Sequence, residues 1–369
     1  MLRFTSALIT TIFLLVSQKA QARVYDVYRA DYAKGAFCSV IGGACASGES
    51  MENAFFQNPA SLTRSDNEWG FDADYNQSSS LEPGMKGENA VGETQYLAGI
   101  GTRKGNFGIG LGIFGRTTSV SSQVTIFDDQ GINQKFPLQT NSTHLEFNLP
   151  VSYRYQNFNF GLALVGAYTD FSLNTAGRSL EVRKSGVNFG FAVGMITRLS
   201  PKIRFGSWFR SSLTNYASIS IDQDFPASTL HYNEDLAIHT PWIMAAGFAL
   251  QTGIKSEWSA GLHLIGDTQN GLQLTYDTFS TALGDRGVRA KGRYVSLEPR
   301  MGYKTPWPWI EQDKGTLLFG AYFEPSRWDG ISGRLHETFG IAHKTFEFAE
   351  FMIGGDHAKD FFQIFLTFR

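Results

Sequence analysis

From Trp69 onward the chain alternates with a period of two. Trp69, Phe71, Ala73 and Tyr75 interleave with Gly70, Asp72, Asp74 and Asn76, which puts rings on one face of a strand and acids on the other. The pattern returns where Leu145, Phe147, Leu149, Val151, Tyr153 and Tyr155 oppose His144, Glu146, Asn148, Ser152 and Arg154. It returns again where Val295, Leu297, Met301 and Tyr303 oppose Ser296, Glu298, Arg300 and Lys304. A soluble sandwich also alternates, but its strands are short and its polar face meets bulk water. Several runs here are long enough to cross a bilayer and project beyond it.

The breaks between runs fall into two sets. Short ones at Lys104-Gly105, Gln156-Asn157, Ser200-Pro201, Gly253–Glu257, Thr305–Lys314 and Thr345–Glu347 would be periplasmic. Longer ones near Ser79–Glu93, Asp128–Gln139, Asn174–Leu180, Asp222–Thr240 and Ser280–Lys291 would be external, joined by smaller ones near Arg327–Ile331 and Asp356–Lys359. Short turns inside and long loops outside is the rule for outer-membrane barrels, and with Trp258–Phe279 read as one long strand the count closes at about 14, an even number. The expected fold is therefore all-β: a transmembrane antiparallel β-barrel over Trp69–Arg369. Its last strand, Phe361–Arg369, resembles the C-terminal signal read by the barrel-assembly machinery, except that an arginine follows the final aromatic.

The chain opens with a charge at Arg3, an apolar run Phe4–Val16 and the small-residue site Ala20-Gln21-Ala22, the layout of a signal peptide over Met1–Ala22. That run is too short to span a bilayer, and nowhere else do about 18 apolar residues occur in succession, so no helical span is expected. Arg23–Glu68 lacks alternation and mixes small residues (GGACASG) with Tyr25, Tyr28, Tyr32 and Phe37. It reads as short helices and turns too few to bury a core alone, and the barrel lumen is where such a plug can pack. Within it Cys38 and Cys45 stand in a secreted segment where oxidation is permitted. A disulfide closing a small loop is the leading reading and a free pair the other. Pro59, which has no N–H and keeps Asn58 out of the helical region, ends a local element in FFQNPASL.

With 32 Lys plus Arg against 34 Asp plus Glu and no dense basic cluster, nucleic acid is excluded as a partner. Abundant Phe (31) and Gly (39) suit strands that show rings to lipid and small residues to a crowded lumen. The seven histidines have no tight ligand spacing, so no metal site is assigned. Neither a nucleophile elbow nor a phosphate-binding loop is present, and the chain is read as a non-enzyme without cofactors. In FGIGLGIFGR, Gly108, Gly110, Gly112 and Gly115 either make room for the plug or mark a strand kink. Arg154, Arg204, Arg210 and Arg300 are the candidate lumen contacts for a ligand carboxylate, structural ion pairing being the alternative.

The order of leader, small and aromatic segment, FFQNPASL and long barrel resembles the FadL/OmpP1 family of outer-membrane transporters for hydrophobic compounds. The residues that carry the resemblance are Phe55, Phe56, Asn58, Pro59, Ala60 and Leu62, with a second likeness at Thr240-Pro241-Trp242 and Trp258. The resemblance implies a barrel of about 14 strands closed by an N-terminal hatch holding the Asn-Pro-Ala motif. It implies passive uptake of long-chain fatty acids or aromatic hydrocarbons from outside, released through the wall into the membrane. The surroundings would be outer-membrane lipid and lipopolysaccharide. A binding platform for exported proteins and a hydrophilic porin are the competing functions.

Overall fold

A computed structural model describes residues 35–48, 50–63, 69–81, 90–127, 133–175, 178–225, 228–266, 295–309, 314–325, 333–346, 349–358 and 361–369. The leader, the hatch up to Lys34, the continuation of the Trp258 strand beyond Gly266 and the Ser280–Lys291 loop lie outside them. Two short helices, α1 (Ala36–Val40) and α2 (Met51–Phe56), and a 3-10 turn (Pro59–Thr63) precede the strands. No helix among the described residues is long and apolar enough to cross a membrane; the crossing is made by strands.

The strands are β1 (Trp69–Leu81), β2 (Ala90–Lys104), β3 (Phe107–Phe127), β4 (Asn133–Tyr155), β5 (Phe158–Thr175), β6 (Arg178–Ser200) and β7 (Ile203–Arg210). A hairpin of β8 (Leu213–Phe225) and β9 (Ser228–Thr240) follows. The wall resumes with β10 (Trp242–Gln251), β11 (Glu257–Gly266), β12 (Val295–Pro306), β13 (Gly315–Glu324), β14 (Arg334–Phe346), β15 (Ala349–Ala358) and β16 (Phe361–Phe368). All but β8 and β9 form one closed barrel of 14 strands, each antiparallel to its neighbours, and β16 pairs with β1 from Ala73↔Phe368 to Ser80↔Phe361. Each strand of this sheet has two neighbours, so the barrel itself has no edge strand, which a sheet in hydrocarbon requires.

The two-residue period sorts side chains as expected. Ile100, Ile109, Leu149, Leu164, Phe248, Met301 and Ile353 point outward and are exposed, whereas their inward neighbours on the same strands are buried. On β16, Phe362, Ile364, Leu366 and Phe368 face out and Phe361, Gln363, Phe365 and Thr367 face in. An apolar outer belt over a closed wall is the surface of a membrane barrel.

Strand continues into several of the expected external loops, as where Asn133–Gln139 of β4 pairs with Ser121–Phe127 of β3, and one expected loop departs altogether. Asp222–Thr240, read as an external loop, is instead most of the β8–β9 hairpin, a separate two-stranded sheet. After Arg210 the chain leaves the wall and crosses Gly190, where a methyl would stand 2.6 Å from Leu213, so Leu213 packs against Val165 and Ala167. β10 then returns to β7, pairing Ile243↔Arg210 through Leu250↔Ile203. Alternation alone cannot separate a strand that stays in the wall from one that leaves it, because both obey the same period.

Candidate functional site

The hatch is built locally. Ser50 caps α2, its hydroxyl accepting from the Asn53 N–H at 3.2 Å, and Glu52 sits in the first turn, where a carboxylate suits the helix dipole. The helix ends before Pro59, as Gln57 and Asn58 N–H groups both donate to the Asn53 carbonyl at 2.9 Å. The Asn53 carboxamide donates to Gly48 O (3.1 Å) and Ser61 Oγ (2.7 Å), closing the loop before α2 onto the 3-10 turn after it.

Asn58 ties this unit to the wall. Its side-chain nitrogen donates to Ala46 O at 2.7 Å and reaches Met195 O (3.3 Å) and Ser207 O (3.4 Å), paired positions of β6 and β7; its oxygen accepts from Ala60 N–H at 3.1 Å. Asn58 is wholly buried, so each carboxamide atom lies where leaving it unpaired would be costly. The backbone approaches the wall closely enough to need bare glycine opposite. A methyl at Gly161 would stand 2.2 Å from Ala60 N, and one at Gly206 would stand 2.0 Å from Ala46 O.

Phe55 and Phe56 supply the apolar anchor. With Ala54, Leu62, Leu97 and Phe114 they form a buried cluster, Phe56 edge-on to both Phe55 and Phe114. Gly108, Gly110 and Gly112 face inward beneath it: Gly110 and Gly112 lie under Phe55, and Gly108 lies under Leu62. Gly115 has the opposite parity, and the ring of Tyr96 covers it. The β2–β3 ladder passes these glycines without a shift, while the β3–β4 ladder skips Gly110 and Leu111, opposite Leu149 and Pro150. Pro150 has no N–H to give that ladder.

The other half of the hatch packs on β13–β16. Ala36, Cys38, Val40, Ile41 and Cys45 join Leu318, Ala342, Met352 and Phe365 in one cluster, and Cys38 and Cys45 are bonded with Cα atoms 5.8 Å apart. Wall side chains satisfy the carbonyls at the end of α1: Thr338 Oγ1 donates to Val40 O at 2.6 Å and Arg300 Nη1 to Gly42 O at 3.1 Å. Gly42 has φ +66, and a methyl there would lie 2.5 Å from Met301 O, so both conformation and space demand glycine.

The four candidate arginines do not converge. Arg154 lies half-buried beside the β4–β5 turn, and Arg204, toward the same short-turn end, pairs with Glu257 at 2.5 Å, which Lys304 shares at 3.2 Å. Arg210, near the long-loop end of β7, bridges to Glu146 on β4, across two strands whose inward positions include the small Ala163, Ala167 and Ala192. Arg300 pairs with Glu298 and lies 4.6 Å from the Tyr322 ring. Other polar groups at the long-loop side form networks: His144 with Glu146 (2.7 Å) and Thr169 (2.9 Å), Arg116 with Glu93 (2.5 Å), and His336 with Asp356 (2.8 Å) and Glu324 (3.0 Å).

Sequence reasoning missed Thr338, the two histidine networks and the wall glycines Gly161, Gly194 and Gly206. The glycines had a legible signal, since each sits at an inward parity position in mid-strand. The networks had none, because a period of two says which face a residue takes but not which inward neighbours meet: His144 and Glu146 of β4 join Thr169 of β5, and His336 of β14 joins Asp356 of β15 and Glu324 of β13.

A closed 14-stranded barrel with an apolar exterior and short helices buried in its lumen defines a class of protein, the plugged membrane-spanning β-barrels. The sequence matches no protein-family model and no curated protein. In three dimensions it is similar to the toluene transporter TbuX of Ralstonia pickettii, with a TM-score of 0.63 at 13% identity over 91% of this chain and 98% of that one. The toluene transporter TodX of Pseudomonas putida gives 0.61 at 13% identity over 95% and 99%. A FadL homologue of Pseudomonas aeruginosa gives 0.61 at 10% identity over 91% and 96%. At these identities the likeness is one of fold.

Proposed function

We propose that the protein is a passive outer-membrane channel for the uptake of hydrophobic small molecules, in the range of aromatic hydrocarbons and long-chain fatty acids. The observation that carries this reading is the seating of the hatch. Phe55, Asn58, Ala60 and Val40 are each 1% exposed or less, and wall glycines receive them. A hydrophilic porin needs a water-filled lumen to pass ions, and a lumen occupied this way favours a solute that partitions rather than diffuses in water. An apolar solute that has crossed the polar outer leaflet surface gains by entering hydrocarbon, so no energy source is required. The fold shared with proteins described as toluene transporters supports the same reading.

The test compares the mature barrel with a variant lacking the hatch through Leu62. Saturable binding of an apolar fluorescent probe that weakens on hatch removal, with no steady ion conductance in the intact protein, is the expected result. Steady ohmic conductance of the intact barrel, or no binding of any apolar probe, would overturn it.

A further inference from the structure

Residues 198–203, between β6 and β7, and residues 251–257, between β10 and β11, make two short turns at the same end of the barrel. They stand side by side, because β7 pairs with β10 and the Gln251 N–H donates to Lys202 O at 2.8 Å. Each turn is braced from within. Ser200 Oγ accepts from the N–H groups of Lys202 (3.3 Å) and Ile203 (3.1 Å), and the Thr252 N–H donates to Ser256 O at 3.0 Å. The β6–β7 register slips between Arg198 and Ser200, so Leu199 is the extra residue of a bulge and is 60% exposed. Ile254 is 83% exposed on the neighbouring turn, and Arg198, Lys202 and Lys255 are exposed beside these two apolar tips. Lys255 holds φ +63, the left-handed region that suits glycine, so a cation stands at the tip where the backbone alone would not favour one. The only acid in either segment, Glu257, is partly buried and is engaged by Arg204 at 2.5 Å and Lys304 at 3.2 Å.

From this juxtaposition we infer that the two turns form a site for an anionic phospholipid headgroup in the leaflet that meets the short-turn end, a role independent of what the lumen carries. Three exposed cations attract a phosphate, and a zwitterionic headgroup brings a cation of its own that they repel. Cations alone would suit any anion. Leu199 and Ile254 narrow the choice, because apolar side chains gain from glycerol and acyl carbon but nothing from free phosphate. The site also continues the apolar belt of the barrel. Directly beyond the turns Phe248 and Trp258 face outward and are exposed, and the Phe205 ring lies 5.0 Å from that of Phe248. Tyr155 and Trp309 are exposed to either side, at the β4–β5 and β12–β13 turns, and tyrosine and tryptophan are the residues of the headgroup level. An acidic protein face would match the charge, but an aromatic belt of this kind marks lipid.

The test titrates the full mature chain, folded in detergent, with phosphatidylglycerol or with phosphatidylcholine of the same acyl chains, and follows bound lipid by native mass spectrometry. The first phosphatidylglycerol is expected to bind more tightly by on the order of fivefold for each lysine or arginine it engages, and that preference should shrink as salt is raised. Lys202→Gln combined with Lys255→Gln should remove most of the preference, whereas Lys104→Gln, which changes an exposed lysine at the β2–β3 turn, should leave it unchanged. Ile254→Ser should weaken both lipids alike. Heat-dependent gel mobility checks that each variant is folded. Cross-links from a photoactivatable phosphatidylglycerol, mapped by peptide on the unmodified protein, should fall on residues 198–203 and 251–257, which fixes the location even if a variant does not fold. Equal binding of the two lipids, a preference that survives the double substitution, or cross-links confined to other turns would each overturn the inference and leave the uptake reading as it stands.

Discussion

The guanidinium carbon of Arg369 lies 4.2 Å from the centre of the Phe37 ring, so the last residue of the barrel clamps the first described helix of the hatch. The same guanidinium holds Glu350 at 2.5 Å across β15 and β16, whose backbones meet through Arg369 N–H donating to Glu350 O at 3.0 Å. The arginine after the terminal aromatic, an oddity in the sequence, thereby acquires a role at the base of the hatch. Arg369→Ala should loosen the hatch by about 0.5–2 kcal/mol, the range for a cation over an aromatic face. The barrel should stay folded. Protease sensitivity of the hatch, set against heat-dependent gel mobility of the barrel, separates the two effects.

Burial pushes the carboxyl of Glu52 up from 4.5 to about 7, with Arg369 pulling it down and Glu350 pushing it up. Its Oε1 accepts from Cys38 N–H at 3.4 Å. Because the docked value lies above the free one, the docked hatch binds the proton more tightly. The penalty for ionisation is absent below pH 4.5, grows as pH rises, and is complete above pH 7. Hatch stability should therefore fall across that window by up to roughly 3 kcal/mol. Glu52→Gln should abolish the dependence, and Arg369→Ala should move it upward. Amide exchange of the hatch measured on both sides of the window checks this.

Asn58 makes its wall contacts as a donor, and so the carboxamide cannot be replaced by its isostere. Asn58→Asp would aim carboxylate oxygens at the carbonyls of Ala46, Met195 and Ser207. The variant should lose more hatch stability than Asn58→Ala, by about 1–3 kcal/mol beyond the alanine loss. The order of the two variants in protease half-life is the readout, and a milder effect for the aspartate would contradict the donor role.

A single methyl on the wall should unseat the hatch where backbone faces backbone. Gly161→Ala and Gly206→Ala meet hatch backbone atoms at 2.2 Å and 2.0 Å, whereas Gly92→Ala meets nothing within 4 Å. The first two should raise ion leakage through reconstituted barrels, and the third should leave it unchanged. In a bare strand interior all three changes would favour the strand slightly, so the sign of the result reports the hatch.

The Cys38–Cys45 bond closes a small loop whose two sulfurs are buried by the docked hatch, with Gln57 Nε2 at 3.4 Å from Cys38 Sγ. Reductant should leave the bond intact until the hatch is released. Replacing both cysteines with serine should cost the hatch about 2.5 kcal/mol by the chain-entropy estimate for a loop this short. Thiol labelling with and without denaturant distinguishes these states.

The sequence by itself determined the wall. A period of two reports which side of a sheet each residue faces, short and long breaks report which end of the barrel each turn occupies, and together they led to the 14 strands that the closed sheet contains. The same local logic marked Asn58-Pro59-Ala60 as the end of an element and the small-residue segment as needing a host. Only the tertiary structure decided what meets across the lumen. That Asn58 finds β6 and β7, that Phe55 lies on glycines of β2 and β3, and that Arg210 reaches Glu146 depend on barrel closure. Closure juxtaposes positions far apart in the chain, and alternation carries no information about which inward position faces which. The β8–β9 hairpin shows the same limit from the other side, since the pattern that makes a strand does not say which sheet the strand will join.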